Sequence, residues 1–199
     1  KGNRGRKEGV GLFTGALMAR YPWLPVEEDG RLHDPLLREN FVERVFALHE
    51  LNALRARGLT RHGLLAFHSR YKLQLLAHHQ AGYREIGPFV ASLHEWEDLE
   101  AFFEVYREKL MAILKQPASR KNHTNVLMHI QGYFRDQLNS RQRGELREVI
   151  LNYRAGLLPI LAPLTLLKHY LAEYPDRYLQ AQNYFDPYPQ DLALRLTVN

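Results

Sequence analysis

No cysteine occurs among the 199 residues. That excludes a disulfide scaffold, a thiolate nucleophile, a Cys-ligated zinc site and a Cys-ligated iron–sulfur cluster within this chain. Long apolar runs are missing too. A stretch such as Leu157–Leu167 is broken by Pro159 and Pro163 and falls far short of a bilayer's thickness. No signal-peptide pattern opens the chain, and with no disulfide framework the expected compartment is the cytoplasm. Strand-period alternation is scarce, and beyond a short stretch at Leu24–Val26 none of useful length is found. Net charge is small, 27 Lys and Arg against 22 Asp and Glu, which only allows acidic partners. The chain begins at Lys1 rather than Met, which suggests a piece of something longer.

What is present is helical and apolar enough, at 45%, for one sizeable core. The opening differs from the rest: Lys1–Gly15 carries five glycines and Tyr21–Gly30 carries Pro22 and Pro25. This part could accommodate a short helix near Val10–Arg20 and the Leu24–Val26 strand. From Asp34-Pro35, a favourable cap and first-turn pair, the spacing predicts helices over Leu36–Arg57, Thr60–His79, Tyr83–Leu93, Trp96–Lys115, Ser119–Leu138, Ser140–Ala155 and Pro159–Tyr174, with Ser119 and Ser140 as caps. The expected fold class is all-α, a single compact bundle of about seven helices after an irregular N-terminal segment.

At about 100° per residue, two helices carry polar stripes beside apolar arcs. On the Thr60–His79 helix, Arg61, His68, Lys72 and His79 align between Leu65, Leu73 and Leu76 on one side and Leu64, Tyr71 and Leu75 on the other. Arg70 and Gln74 are expected to face solvent. On the Ser119–Leu138 helix, Asn122, Asn125, His129, Tyr133 and Asp136 align, with Leu127, Ile130, Phe134 and Leu138 as the core arc and Thr124, Gln131 and Arg135 outward. Gly132 lies beside that stripe, where a missing side chain allows close approach. Histidines and asparagines beside a core are usually satisfied by neighbouring backbone or carboxylates. Paired stripes, together with His123, raise the alternative of a shared cleft.

Specific chemistries can be tested against these stripes. No two histidines lie at i,i+3 or i,i+4 and no HExxH occurs, so no metal is assigned. No nucleophile elbow surrounds any serine, and Gly9-Val10-Gly11 matches neither phosphate-loop pattern. Nucleic acid fits better, because charge is segregated. Lys115–Arg143 carries six basic residues against Asp136 alone, whereas Glu95–Glu108 carries six acids and only Arg107. Basic groups supply phosphate contacts, and Tyr133, Tyr184, Phe185 and Tyr188 are candidates for stacking on unpaired bases.

Several segments together resemble a known family. They are Phe67-His68-Ser69-Arg70-Tyr71-Lys72, then Arg120-Lys121-Asn122-His123-Thr124-Asn125 through His129 with Gly132-Tyr133-Phe134, then Tyr153-Arg154-Ala155-Gly156 with Pro159, and Gln182-Asn183-Tyr184-Phe185-Asp186-Pro187-Tyr188-Pro189. Over roughly Leu59–Leu196 the chain resembles the YbgA-like family, a bacterial domain of unknown function (1722). The opening is similar to the end of a thiouracil-desulfidase-type domain (domain of unknown function 523). The residues concerned are Gly9-Val10-Gly11-Leu12-Phe13, Leu24-Pro25-Val26-Glu27-Glu28, Arg31-Leu32-His33-Asp34 and Leu37-Arg38-Glu39-Asn40-Phe41. The resemblance implies residues 1–45 as a remnant of that domain plus the start of a linker helix, and 46–199 as the helical domain.

In such fusions the first domain carries a [4Fe-4S] cluster on three cysteines and desulfurises thiolated uracil, in association with 4-thiouridine in tRNA. Since this chain has none of those cysteines, no cofactor is expected in it, and the cluster and catalytic residues would belong upstream. The expectation that follows is a tRNA-binding or substrate-positioning accessory domain in RNA modification. Its partners would be tRNA and the upstream desulfidase domain, and no membrane. Arg120, Lys121, Arg135 and Arg154 would hold phosphates. His68, Lys72, His79, Asn122, His123, Asn125, His129, Tyr133 and Tyr188 would line a cleft. Two rivals stand beside it: a helical enzyme acting in that cleft on a small molecule or nucleotide, and a structural docking domain for the upstream partner.

Overall fold

The computed structural model describes residues 11–195. Among them nine α-helices occur and no strand. They are α1 (Leu12–Arg20), α2 (Pro35–Ala56), α3 (Arg61–His78), α4 (Gln80–Ala91), α5 (Leu99–Leu114), α6 (Arg120–Tyr133), α7 (Ser140–Arg154), α8 (Leu161–Glu173) and α9 (Arg177–Gln180). The all-α expectation holds. The Gly-rich opening, including Gly9 and Val10, lies outside the described residues.

Local chemistry sets most helix starts. The Asp34 carboxylate accepts from the Leu36 and Leu37 amides at 2.8 and 3.2 Å, with Pro35 at the first helical position. Thr60, Asp98 and Ser119 cap α3, α5 and α6 in the same way. Ser140, expected as a cap, is instead the first residue of α7. Asn139 caps that helix in a reciprocal capping box with Gln142. Gly58 and Gly156 leave α2 and α7 at φ 97° and 81°, a region that costs other residues strain.

Other boundaries moved for physical reasons. Leu24–Val26 is loop, because an isolated strand has no partner to satisfy its backbone; Trp23 and Leu24 pack on a core as side chains instead. The α6 helix stops at Tyr133, and Phe134 and Leu138 reach the core from the turns that follow. Between α3 and α4, His79 breaks the helix in extended conformation at φ −152°, and its Nδ1 accepts from the Gly82 amide at 3.0 Å.

Two cores share one helix. The first gathers α2, α4, α5 and the α3 residues Leu64, Phe67, Tyr71 and Leu75. The second gathers α6, α7, α8, the segment after α9, and Leu73 and Ala77 of α3. This makes α3 the central helix and corrects the wheel. Gln74, expected in solvent, is 1% exposed, and its amide has no hydrogen-bond partner among the described residues. Leu65, expected in a core, is 47% exposed. Thr124, expected outside, is buried because its hydroxyl is satisfied by Arg120 O at 2.8 Å.

Candidate functional site: a charged cavity between the two cores

The seam between the cores carries charge. On α2, Glu39 and Glu43 stand one turn apart and would repel each other in isolation. Two cations answer them. Arg195 donates from Nε to Glu39 Oε1 at 2.7 Å and from an amino group to Glu43 Oε1 at 3.1 Å. His78 Nε2 meets Glu43 Oε2 at 2.7 Å, and its Nδ1 donates to Gln116 O at 2.7 Å. Tyr188 donates to Glu39 Oε1 at 2.8 Å, and Arg195 also donates to Tyr184 O at 3.0 Å.

The ionisation states follow from this geometry. Burial pushes the Glu43 carboxyl up, but His78 and Arg195 outweigh it and bring its pKa down to about 2. Burial alone would lower His78, yet the Glu43 carboxylate raises it. Arg195 is likewise raised against burial by Glu43 and Glu39. Glu39 is raised, by burial and then by the Glu43 charge. Glu43, His78 and Arg195 therefore form a charged triad with both ring nitrogens and both Glu43 oxygens engaged.

Beside the triad lies a cavity of about 310 Å³. Its walls include Glu39, Asn40 and Glu43 of α2, Ser119, Arg120 and His123 at the start of α6, Tyr153 of α7, and Arg195. Arg120 donates to Tyr153 O at 2.6 Å, with its guanidinium 4.8 Å from that residue's ring centroid. This joins the first turn of α6 to the last turn of α7. His123 Nδ1 lies 2.9 Å from the Tyr184 hydroxyl. Burial, and then Arg195, depress the His123 pKa to about 3, so its ring is neutral.

The residues expected at a site distribute over several places. Arg120 and His123 line the cavity, and Tyr188 joins its charged network. Lys121 and Arg154, each next in sequence to a lining residue, are exposed at the same end of the α6–α7 hairpin. Arg135 is exposed at the opposite end, where its carbonyl accepts from Arg143 at 2.8 Å. Asn122 Nδ2 approaches His78 O at 3.4 Å.

The two stripes do not meet across one cleft. His68 is buried with Nδ1 3.1 Å from the Tyr106 hydroxyl, and burial, helped by Lys72, lowers its pKa to about 4. His129, with Asn125, is exposed on α6. Its ring lies edge-on to Tyr133 at 5.6 Å, and Tyr133 stacks on Tyr178 at 5.8 Å. His79 caps α4 and lines a separate cavity with Glu85, Lys109 and Gln116. A Cβ on Gly132 would meet nothing within 4 Å, so that surface is open.

Sequence reasoning missed Glu39, Glu43, His78, Tyr153 and Arg195. One signal was available for the glutamates: two like charges at i,i+4 next to Asn40 and Ala47 need a cation from elsewhere. The residue boundary expected at 45/46 falls inside α2, whose first half supplies both. No helix of the described residues is long and apolar enough to cross a membrane. Without cysteine, and with no grouping of three or more His, Asp or Glu suited to a metal among the described residues, the donor set does not fit an iron–sulfur cluster.

Fold and site together define a class: a small helical domain with a charged, solvent-open cavity between two cores. Residues 72–189 match the family described as "Protein of unknown function (DUF1722)", and the chain belongs to that family. It is similar to the "Uncharacterized protein YbgA" of Escherichia coli (strain K12), 51% identical over 152 residues that span 76% of this chain and 90% of that protein. No solved structure matches the chain.

Proposed function

We propose that this domain binds tRNA and positions it for a desulfidase-type partner domain that acts on 4-thiouridine. One observation carries the RNA part: Arg120, which lines the cavity, and the exposed Lys121 and Arg154 all lie at one end of the α6–α7 hairpin. The helix dipole of α6 adds positive potential there. Arg135, Arg141 and Arg143 form a second basic group at the other end. The two groups stand ~20 Å apart along a 14-residue helix. An extended polyanion could engage both, whereas a small metabolite could not. The choice of tRNA, and of a desulfidase partner with its iron–sulfur cluster upstream, rests on the resemblance of the opening segment.

Gel-shift titration against thiolated and unthiolated tRNA at several salt concentrations tests the reading. Binding should weaken steeply with salt, with log K falling by about 2 to 3 per decade for three phosphate contacts. Absence of binding at low salt, or insensitivity to salt, sinks it. Two other readings each have an observation of their own. The enclosed His123 and Glu39 favour a small-molecule enzyme. Helix α1 buries no residue and leaves Leu12 and Phe13 at 96% and 82% exposure, which favours docking to another domain.

A further inference from the structure

His123 is a polar side chain only 9% exposed, and it lines a cavity with one ring nitrogen unclaimed. The tautomer follows from its neighbour. Tyr184 is fully buried, and its hydroxyl has His123 Nδ1 as its hydrogen-bond partner. If the hydroxyl did not donate to Nδ1, its own hydrogen would be buried without an acceptor, which costs about 1–3 kcal/mol. Tyr184 therefore donates, the proton resides on Nε2, and Nε2–H is a donor with no partner among the described residues.

Two further donors line the same cavity. Arg120 spends one N–H on Tyr153 O, and that bond together with the ring beneath it holds the rest of the guanidinium fork in place. The Ser119 hydroxyl accepts from the Asn122 amide at 3.1 Å, which leaves its hydrogen free to donate. The carboxylates in the wall do not cancel these donors. Glu43 is neutralised at both oxygens by His78 and Arg195, and Glu39 Oε1 is held by Arg195 and Tyr188. Only Glu39 Oε2 has no hydrogen-bond partner among the described residues.

We propose that this cavity is a phosphate-binding site that takes a single nucleotide, with the phosphate on Arg120, Ser119 and His123 Nε2 and a sugar hydroxyl on Glu39 Oε2. At about 310 Å³ it sits at the small end of ligand pockets, which suits one nucleotide and not a length of strand. The phosphate is either part of an RNA chain, which rests on the RNA-binding reading, or belongs to a free mononucleotide.

The experiment uses the whole chain and reads ligand-dependent melting and calorimetric titration. The ligands are inorganic phosphate, the four nucleoside 5′-monophosphates and the corresponding unphosphorylated nucleosides. Monophosphates should raise Tm and nucleosides should not. Arg120→Gln should lose at least 10-fold in nucleotide affinity, as expected for a lost charge-assisted bond. Glu39→Gln should weaken nucleotide binding relative to inorganic phosphate, whose affinity should not fall because the wall loses an anion. Arg84→Gln, exposed on α4 and outside the cavity's lining, should bind nucleotide like the wild type. If Arg120→Gln is misfolded by circular dichroism, Arg120→Lys replaces it, with a smaller loss expected because the charge stays and the fork is gone.

Displacement of bound tRNA by a monophosphate assigns the source to the RNA chain; tRNA that stays bound assigns it to a free nucleotide. Salt-dependent tRNA binding without any effect of monophosphates overturns the cavity proposal and spares the RNA reading. Monophosphate binding without tRNA binding does the reverse. Equal nucleotide affinity in a folded Arg120 variant and the wild type overturns the assignment of the phosphate.

Discussion

Replacing Glu43 by Gln probes the seam most directly. In the native protein its carboxylate is 4% exposed and meets His78 at 2.7 Å and Arg195 at 3.1 Å. Its pKa lies at about 2, against an ordinary 4.5. That difference corresponds to ~3 kcal/mol of folding stability at neutral pH. Because the folded-state pKa is depressed, this contribution is complete above 4.5 and disappears as pH falls from there through about 2. His78 works in the opposite direction. Its folded pKa lies above 6.5, so its contribution is complete below 6.5 and disappears as pH rises through the folded value.

Glu43→Gln removes the anion from both cations at once and leaves Arg195 buried with only Glu39 as a counter-ion. Removing one member of a buried ion pair costs ~3–5 kcal/mol. Urea unfolding followed by circular dichroism between pH 3 and 9 should show that loss at pH 7. The variant's profile should also be flatter than the wild type's on both the acid and the alkaline side. Glu148→Gln, on the exposed face of α7, should stay within about 0.5 kcal/mol. A Glu43→Gln protein as stable as the Glu148 control, with an unchanged pH profile, refutes the charged triad as described.

Other substitutions test narrower parts of the structure. His68→Leu strands the buried Tyr106 hydroxyl and should cost ~1–3 kcal/mol, much of it regained in the His68→Leu/Tyr106→Phe double variant; a purely additive double variant in denaturant titration contradicts the hydrogen bond. Gly82→Ala places a Cβ 2.7 Å from Ile113 Cγ1, where α4 approaches α5, and should lower stability by ~1–3 kcal/mol; an unchanged Tm would show that the helices separate freely. Lys121→Ala and Arg154→Ala should each reduce the salt slope of tRNA binding by about 1 without unfolding the protein. An unchanged slope in gel shifts would remove them from the interface.

Helix positions were legible because the signals are local. Asp34, Thr60 and Ser119 act within their own first turns, so spacing alone identified them. Asn139 was missed in favour of its neighbour Ser140 because either residue can cap and only the reciprocal bond with Gln142 decides. The exposed faces of α3 were misjudged for a different reason. A helix packed on most sides has no single apolar arc, so Gln74 read as solvent-facing although α3 lies between two cores.

The candidate site was half legible. Arg120 and His123 stood out because they lie in one dense motif on one helix. Their partners come from far along the chain: Glu39 and Glu43 from α2, Tyr153 from α7, Arg195 from the C-terminal segment. No periodicity links such positions.

What the sequence determined by itself was an all-α chain without thiol or cluster chemistry, the starts of α2, α3 and α6 and the segregated basic charge, all set by composition and by interactions within a few residues. Which histidines are enclosed and which are free was decided by the tertiary structure alone. His68, His78 and His123 are distinguished from His129 only by what other helices bring against them. Burial and charge pairing depend on distances in space, and only folding establishes those.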